Sequence, residues 1–421
     1  MLILAAASLH SQENPENRKK IGLVLSGGGA RGFSQIGVLK VLEQYNIKID
    51  YITGTSIGAV IGALYASGYS ASEIENIVLS ADWSGMLSDS PYRKDLKISE
   101  REINEKSIIS FDFKNYKIKL PSGLIFGQKN YNFLSEKLWH VKNINNFNDL
   151  TIPFRCAVSN IENGNTEIIS SGNIVDAAIA SMALPSVFSP VEIDGKLFVD
   201  GGLKLNFPVL ECKKMGADII IAIDTRSDMI ERDKLDSFPA IANQSIKILM
   251  DANVQKEIDA ADIVLTPGLK GFGSLGFERN SEIIGIGEKT ALAISDKLKE
   301  LGSGNREKRE SVSRDIDSDF IFKDIYISGN KSQSSRQIMK TLDFKTGVET
   351  SKKDFFQAID KLYSGNNYNY IRYDFQEHEE GYIIHLIVNE KTAQRLNISF
   401  NYNTDENTSL LLYTSIKNII L

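Results

Sequence analysis

The sequence predicts an α/β fold: a mostly parallel sheet with helices on both faces, followed by a small α+β unit and a short β-hairpin. Three observations predict it. From Lys20 to about Leu298, short β-rich apolar runs alternate with helical segments, the order that parallel strands joined by crossover helices require. The run Ile219-Ile220-Ile221-Ala222-Ile223 is apolar on both faces, as a strand covered on both sides must be. After the linker-like residues 300–317, a β-α-α-β-β pattern of about seventy residues is long enough for a small domain of its own.

Composition bounds the function classes. At 421 residues the chain has room for two or three domains, and 42% apolar with 24% charged residues is ordinary globular composition. A net charge of −6 gives no electrostatic basis for nucleic acid, and no Lys/Arg block suits an anionic lipid surface. Any lipid contact is then apolar or local. Two cysteines, Cys156 and Cys212, fall in a buried strand and a helix with no metal-ligand or redox spacing; they read as free buried thiols, with pairing open in an oxidising compartment.

Taken in order, residues 1–18 contain Leu2 to Leu9, a nearly unbroken apolar run too short to span a bilayer and similar to the tail of an export signal, although no basic residue precedes it. The first α/β part, 19–299, carries candidate strands Ile21–Leu25, Ile49–Ile52, Phe154–Val158, Ile219–Ile223 and Ile263–Leu265. Residues 300–317 lose apolar content and gain charge, a linker signature. The unit 318–392 has strands around Ile321–Ile327, Tyr368–Phe375 and Tyr382–Val388 and helices at Ser334–Leu342 and Lys352–Tyr363. In 393–421, Leu396, Ile398, Phe400 and Tyr402 alternate with polar residues, a period that a membrane-barrel strand and a soluble half-buried hairpin share.

The chemistry concentrates at two turns. Gly54-Thr55-Ser56-Ile57-Gly58 follows an apolar run and opens a small-residue helix, which is what a nucleophile elbow needs. Ser56 is the candidate nucleophile. Upstream, Ser26-Gly27-Gly28-Gly29-Ala30-Arg31-Gly32 stands between a strand and a helix, where glycines let backbone N–H groups face a cavity without Cβ obstruction. The loop suits a phosphate or a developing oxyanion. Gly27-x-Gly29-x-x-Gly32 formally matches the dinucleotide fingerprint, but Asp50 stands at the start of the next strand and not at its end, which favours the oxyanion.

A serine needs a base. Of the four histidines only His140 lies in residues 19–299, in an amphipathic stretch where a packed or surface role is the plain reading. In Val191 to Gly202 two Asp-Gly pairs compete. Asp194-Gly195 is flanked by β-type residues and reads as a hairpin turn, whereas Asp200 ends the second arm before Gly201 and Gly202. Asp200 is therefore the expected base, in a Ser-Asp dyad needing no metal or organic cofactor. Residues 80–150 are expected to cover the pocket over Ser56 through Trp83, Met86, Leu124, Ile125, Phe126 and Phe133.

At this point the chain resembles the patatin-like phospholipase family. The family's G-G-G-x-R/K-G loop, G-x-S-x-G elbow and D-G-G/A motif are matched by Gly27–Gly32, Gly54–Gly58 and Asp200–Gly202, with further similarity at Ala180–Pro185 and Asn206–Pro208. Ser159-Asn160 departs from an Ala-x-Asp segment that family members often carry. The resemblance implies Ser56 as nucleophile, Asp200 as base, the amides of Gly28 and Gly29 with Arg31 nearby as the oxyanion site, and a lipid substrate. Residues 321–391 resemble a polypeptide-transport-associated (POTRA) domain and 394–421 the first strands of a surface-antigen barrel. Together these imply an exported protein at the outer membrane of a Gram-negative bacterium. A bacterial barrel needs at least about eight strands, so a fragment or a lost barrel is expected. A transport or assembly role, with the hydrolase as passenger, is the alternative reading.

Overall fold

The computed structural model describes residues 18–90, 109–114, 117–119, 123, 125–185, 187–252, 254–302, 319–392, 394–403 and 407–416; within 109–119 and 394–416 only the backbone is described. The expected leader (save Arg18), most of the expected linker and Leu124 lie outside these residues.

The described strands are β1 (Ile21–Leu25), β2 (Tyr51–Thr55), β3 (Ile109–Lys114), β4 (Lys117–Lys119), β5 (Phe154–Asn160), β6 (Thr166–Ile169), β7 (Val191–Ile193), β8 (Lys196–Asp200), β9 (Ile219–Ile223), β10 (Ile263–Leu265), β11 (Phe320–Ser328), β12 (Glu349–Thr350), β13 (Tyr368–His378), β14 (Gly381–Glu390), β15 (Gln394–Asn403) and β16 (Asn407–Ile416). The main sheet runs β10-β9-β1-β2-β5-β8-β7 with β6 paired to β5. From β10 to β5 every pairing is parallel; β6, β7 and β8 add antiparallel.

Apolar alternation explains why this sheet is covered on both sides. Leu23, Leu25, Ile221 and Ile223 pack into a cluster with the helices Ser34–Gln44, Ile57–Ala66 and Asn280–Leu292, while Val24, Ile220 and Ala222 pack with Phe207, Val209 and Cys212. Cys156 and Cys212 are both buried and free, in separate clusters.

The second strand starts at Tyr51, later than the expected Ile49. Asp50 is occupied: its carboxylate accepts the Ile21 amide at 2.8 Å and the Arg18 guanidinium, so extended pairing begins one residue on. Register places Leu25, Gly54 and Ile223 side by side at the carboxyl ends of β1, β2 and β9. The chain leaves β1 for β2 on one side while β9 flanks it on the other, so a crevice opens where the strand order reverses.

The later elements follow the predicted β-α-α-β-β order, with β12 added between the helices Ser335–Leu342 and Lys352–Ser364 and a sheet order of β12-β11-β14-β13. Both helices start at serine caps, Ser334 in a capping box with Gln337 and Ser351 accepting from the Asp354 amide. This unit shares its core with the first part of the chain. The Trp139 ring packs among Phe320, Phe355, Phe356 and Phe375, with centroids 5.0 to 5.6 Å apart.

In the last segment β15 and β16 pair antiparallel from Gln394↔Ile416 to Asn403↔Asn407. The free side of β15 takes β3, giving the order β16-β15-β3-β4. Sequence reading missed β3 and β4, because a strand pair from one region that completes a sheet in another leaves no local signal.

Candidate active site

β2 ends at Thr55, and Ser56 follows with φ 56° and ψ −128° before the helix Ile57–Ala66 begins. That backbone is strained for a residue with a Cβ, so the surroundings must hold it. The flanking glycines are needed for space: a Cβ at Gly54 would come 2.5 Å from the Gly58 carbonyl, and one at Gly58 would come 2.6 Å from the Ser26 carbonyl. Ser56 is 9% exposed, and its hydroxyl donates to Oδ2 of Asp200 at 2.8 Å. Oδ1 of the same carboxylate accepts the Gly202 amide at 2.7 Å. Burial pushes the Asp200 carboxyl up to about 6, against the downward pull of these two hydrogen bonds.

Asp200 is brought here by the hairpin β7–β8. The hairpin turn is Asp194-Gly195, with φ of 51° and 74°, so Asp194 is structural. Ser159 Oγ contacts the Gly201 carbonyl at 3.4 Å and Asn160 bonds Glu167, so the departing Ser159-Asn160 pair serves the β5 side of this loop. A Cβ at Gly201 would strike the Ala157 carbonyl, and one at Gly202 would lie 3.0 Å from Oδ1 of Asp200.

After β1, the Gly27 amide donates to Oδ1 of Asn206 at 2.9 Å. Gly28 and Gly29 line the same cavity as Ser56 and Asp200, and their amides donate to no other described residue. Gly29 has φ 58°, and a Cβ there would meet the Ser274 carbonyl; Gly32 is held tight against Ile57.

Arg31 corrects an expectation. Its guanidinium does not face the cavity: it donates to the carbonyls of Thr225 at 3.0 Å, Leu269 at 2.7 Å, Phe272 at 3.3 Å and Arg226 at 2.5 Å. Five N–H groups in a fixed fork make it a clamp between the glycine loop and two distant loops. Burial lowers its pKa from the ordinary value.

His140 bonds the Ser67 carbonyl through Nε2 at 2.8 Å and sits edge-on to Tyr69, while His378 and His385 lie in β13 and β14. No described histidine lines the cavity. Asp50 stands at the opposite end of the strands from the glycine loop, where a ribose on that loop is out of reach. Among the described residues no three His, Cys, Asp or Glu side chains are placed to hold a metal ion.

The cavity measures about 170 Å³. Its walls are largely apolar and include Trp83, Met86, Met182, Phe188, Ile246 and Met250. Of the expected cover residues, Trp83 and Met86 line it, whereas Phe133 stands behind Trp83 at 6.2 Å and Ile125 bridges Phe188 outside it. Phe277 stacks on Trp83 with centroids 5.1 Å apart, a contact between sequence-distant segments that no local pattern announces. Arg226 reaches the rim but is neutralised by Asp224 at 2.7 Å and Asp251 at 2.8 Å.

Residues 23–213 match the family model described as patatin-like phospholipase, and all three glycine-bearing motifs fall inside them. The chain carries a patatin-like phospholipase domain. The chain is similar to lysophospholipase NTE1 of Scheffersomyces stipitis, 30% identical over 308 residues that cover 67% of this chain and 18% of the relative. It is 31% identical over 307 residues to lysophospholipase NTE1 of Lodderomyces elongisporus, covering 67% and 19%. It thus spans less than a fifth of the length of these curated relatives. VipD from Legionella pneumophila superposes with a TM-score of 0.37 at 16% identity, over 67% of each chain.

Sequence reading placed Ser56, Asp200 and the glycine loop in one site but assigned no role to Ser181 or Asn206 of the patatin-like domain. Both stood in plain view within the Ala180–Pro185 and Asn206–Pro208 stretches.

Proposed function

We propose that this chain is a serine lipid acyl hydrolase. The carrying observation is the 2.8 Å hydrogen bond from Ser56 to Asp200, both lining a largely apolar cavity. As the Ser56 oxygen attacks the ester carbonyl carbon, its proton passes to Asp200 and the carbonyl electrons become an oxyanion facing the amides of Gly28 and Gly29. Collapse expels the alcohol, which takes the proton back from Asp200. Water, deprotonated by the same carboxylate, then attacks the acyl carbonyl carbon, and collapse breaks the bond to the Ser56 oxygen, which takes the proton back from Asp200 as the fatty acid leaves.

Two further observations support the reading. A carboxyl raised to about 6 is a stronger base than an ordinary aspartate and still ionised at neutral pH. The apolar walls suit an acyl chain, and the similarity to fungal lysophospholipases points to a single-chain phospholipid as the first substrate to try. Hydrolysis of lysophosphatidylcholine by wild type, Ser56→Ala and Asp200→Asn tests it. Both variants should lose at least about a thousandfold in kcat/KM; equal rates in all three end the assignment.

For the C-terminal part the finer reading is a POTRA-like unit followed by the start of an outer-membrane barrel. The β-α-α-β-β order and the alternating β15–β16 hairpin support it. Flotation of the full chain with phospholipid vesicles tests that reading. Association that survives an alkaline wash supports it, and complete release counts against it.

A further inference from the structure

We infer that Ser181 is a positioning residue that holds the strained Ser56 backbone in its attacking geometry; this rests on the reading of Ser56 as nucleophile. The Ser56 amide donates to Oγ of Ser181 at 2.9 Å, and that hydroxyl donates its own proton to the Ala157 carbonyl at 2.7 Å. A hydroxyl has one proton and two lone pairs. With the proton committed to Ala157, the side chain can only present a lone pair to Ser56, so its orientation is fixed from the β5 side. Ser181 is fully buried, so water cannot stand in for it.

The same short segment sets the other half of the dyad. The Ser181 carbonyl accepts the Gly201 amide at 3.2 Å, and the Ala183 carbonyl accepts the Asp200 amide at 2.9 Å. The Ser181 carbonyl is in the last turn of the helix Ile174–Ser181 and needs a partner from outside it, and Ala183 follows just past the cap Met182. The end of one helix therefore fixes nucleophile and base relative to each other. Nothing in a β-strand or helix ladder would hold Ser56 at φ 56°, since its amide lies outside both. One chemical consequence follows: the Ser56 amide is already spent on Ser181 and takes no part in oxyanion stabilisation.

The experiment compares lysophospholipid hydrolysis and fluorophosphonate labelling in wild type, Ser181→Ala, Ser181→Thr, Val175→Ala and Ser56→Ala. Val175 is buried in the same helix away from the elbow and controls for lost stability alone. In Ser181→Ala, kcat and the labelling rate should fall about tenfold to a hundredfold with KM within about twofold, as expected for a nucleophile displaced by a fraction of an ångström. Ser181→Thr, which keeps the hydroxyl, should recover part of the loss, and Val175→Ala should keep wild-type kcat. Wild-type kcat in Ser181→Ala, or an equal kcat loss in Val175→Ala, overturns the proposal. Activity retained in Ser56→Ala overturns instead the reading on which it rests. If Ser181→Ala is insoluble, Ser181→Cys takes its place and is read by the same outcomes.

Discussion

The hydroxyl of Tyr131 closes off both backbone groups of Tyr373: it donates to the Tyr373 carbonyl at 2.8 Å and accepts the Tyr373 amide at 3.2 Å. Tyr373 lies on β13, the edge of its sheet, where backbone groups would otherwise be unpaired. Gln128 does the same for the Ile371 amide at 2.5 Å. One helix, Gln128–Lys137, thus caps a strand edge of the C-terminal unit.

Tyr131→Phe should therefore cost stability without touching chemistry. The Tyr373 amide loses its partner and the Tyr373 carbonyl keeps only Asn173 at 3.4 Å, a penalty of about 1–3 kcal/mol before relaxation. Urea unfolding should show a loss of at least about 1 kcal/mol, with kcat at 20 °C unchanged. A variant as stable as wild type would mean that this contact does not join the two parts of the chain.

The pH dependence of hydrolysis should report Asp200. Below about 6 its carboxylate is protonated and cannot accept the Ser56 proton, so kcat/KM should fall about tenfold per pH unit there and level off above. A midpoint near 4 would contradict the role given to burial.

Stability should move in the opposite sense. A carboxyl whose folded value, about 6, exceeds its ordinary 3.8 binds its proton more tightly in the fold, so ionisation penalises the folded state as pH rises from about 4 to about 6. Asp200→Asn removes that penalty. Its stability relative to wild type should rise across this window by up to roughly 2–3 kcal/mol and stay constant above it. Denaturant melts at pH 4, 5, 6 and 7.5 measure this, and a pH-independent difference would refute it.

Gly28→Ala should separate folding from catalysis. The added Cβ would come 2.7 Å from the Thr225 carbonyl, so the loop must shift and carry its amides away from the carbonyl oxygen of the substrate. A loss of about a hundredfold or more in kcat is expected, with a cooperative thermal transition retained. Wild-type kcat would remove these amides from the mechanism.

Arg31→Lys tests the clamp. An ammonium cannot reproduce a fork that reaches four carbonyls, so the variant should lose about 2–4 kcal/mol of stability, read by denaturant unfolding. The soluble fraction should keep kcat within about fivefold. A hundredfold fall in kcat at full stability would return Arg31 to the oxyanion site.

Much of the fold was legible because its signals are local. Apolar runs gave four of the five expected strands of the main sheet their N-terminal limits, and Asp194-Gly195 announced its hairpin. The second strand slipped because Asp50 spends its carboxylate on a neighbouring strand, a long-range contact. The cavity walls were half missed for the same reason: Trp83 and Met86 are near the elbow in sequence, but Ile246, Met250 and Phe277 arrive from two hundred positions away. Arg31 was misplaced because a charged side chain beside a glycine loop points equally well inward or outward, and only the carbonyls of residues 225–226 and 269–272 decide which.

By itself the sequence marked the candidate residues for the proposed chemistry: a serine between glycines at a strand-to-helix turn, an aspartate before two glycines, and a loop without Cβ atoms. Those properties belong to single residues and their immediate neighbours, so they survive in one dimension. Tertiary structure alone decided that Ser56 and Asp200 meet, that Ser181 stands behind them, and that the C-terminal unit shares the core. Distances, burial and hydrogen-bond partners are set by which distant segments pack together, and packing is a property of the folded chain.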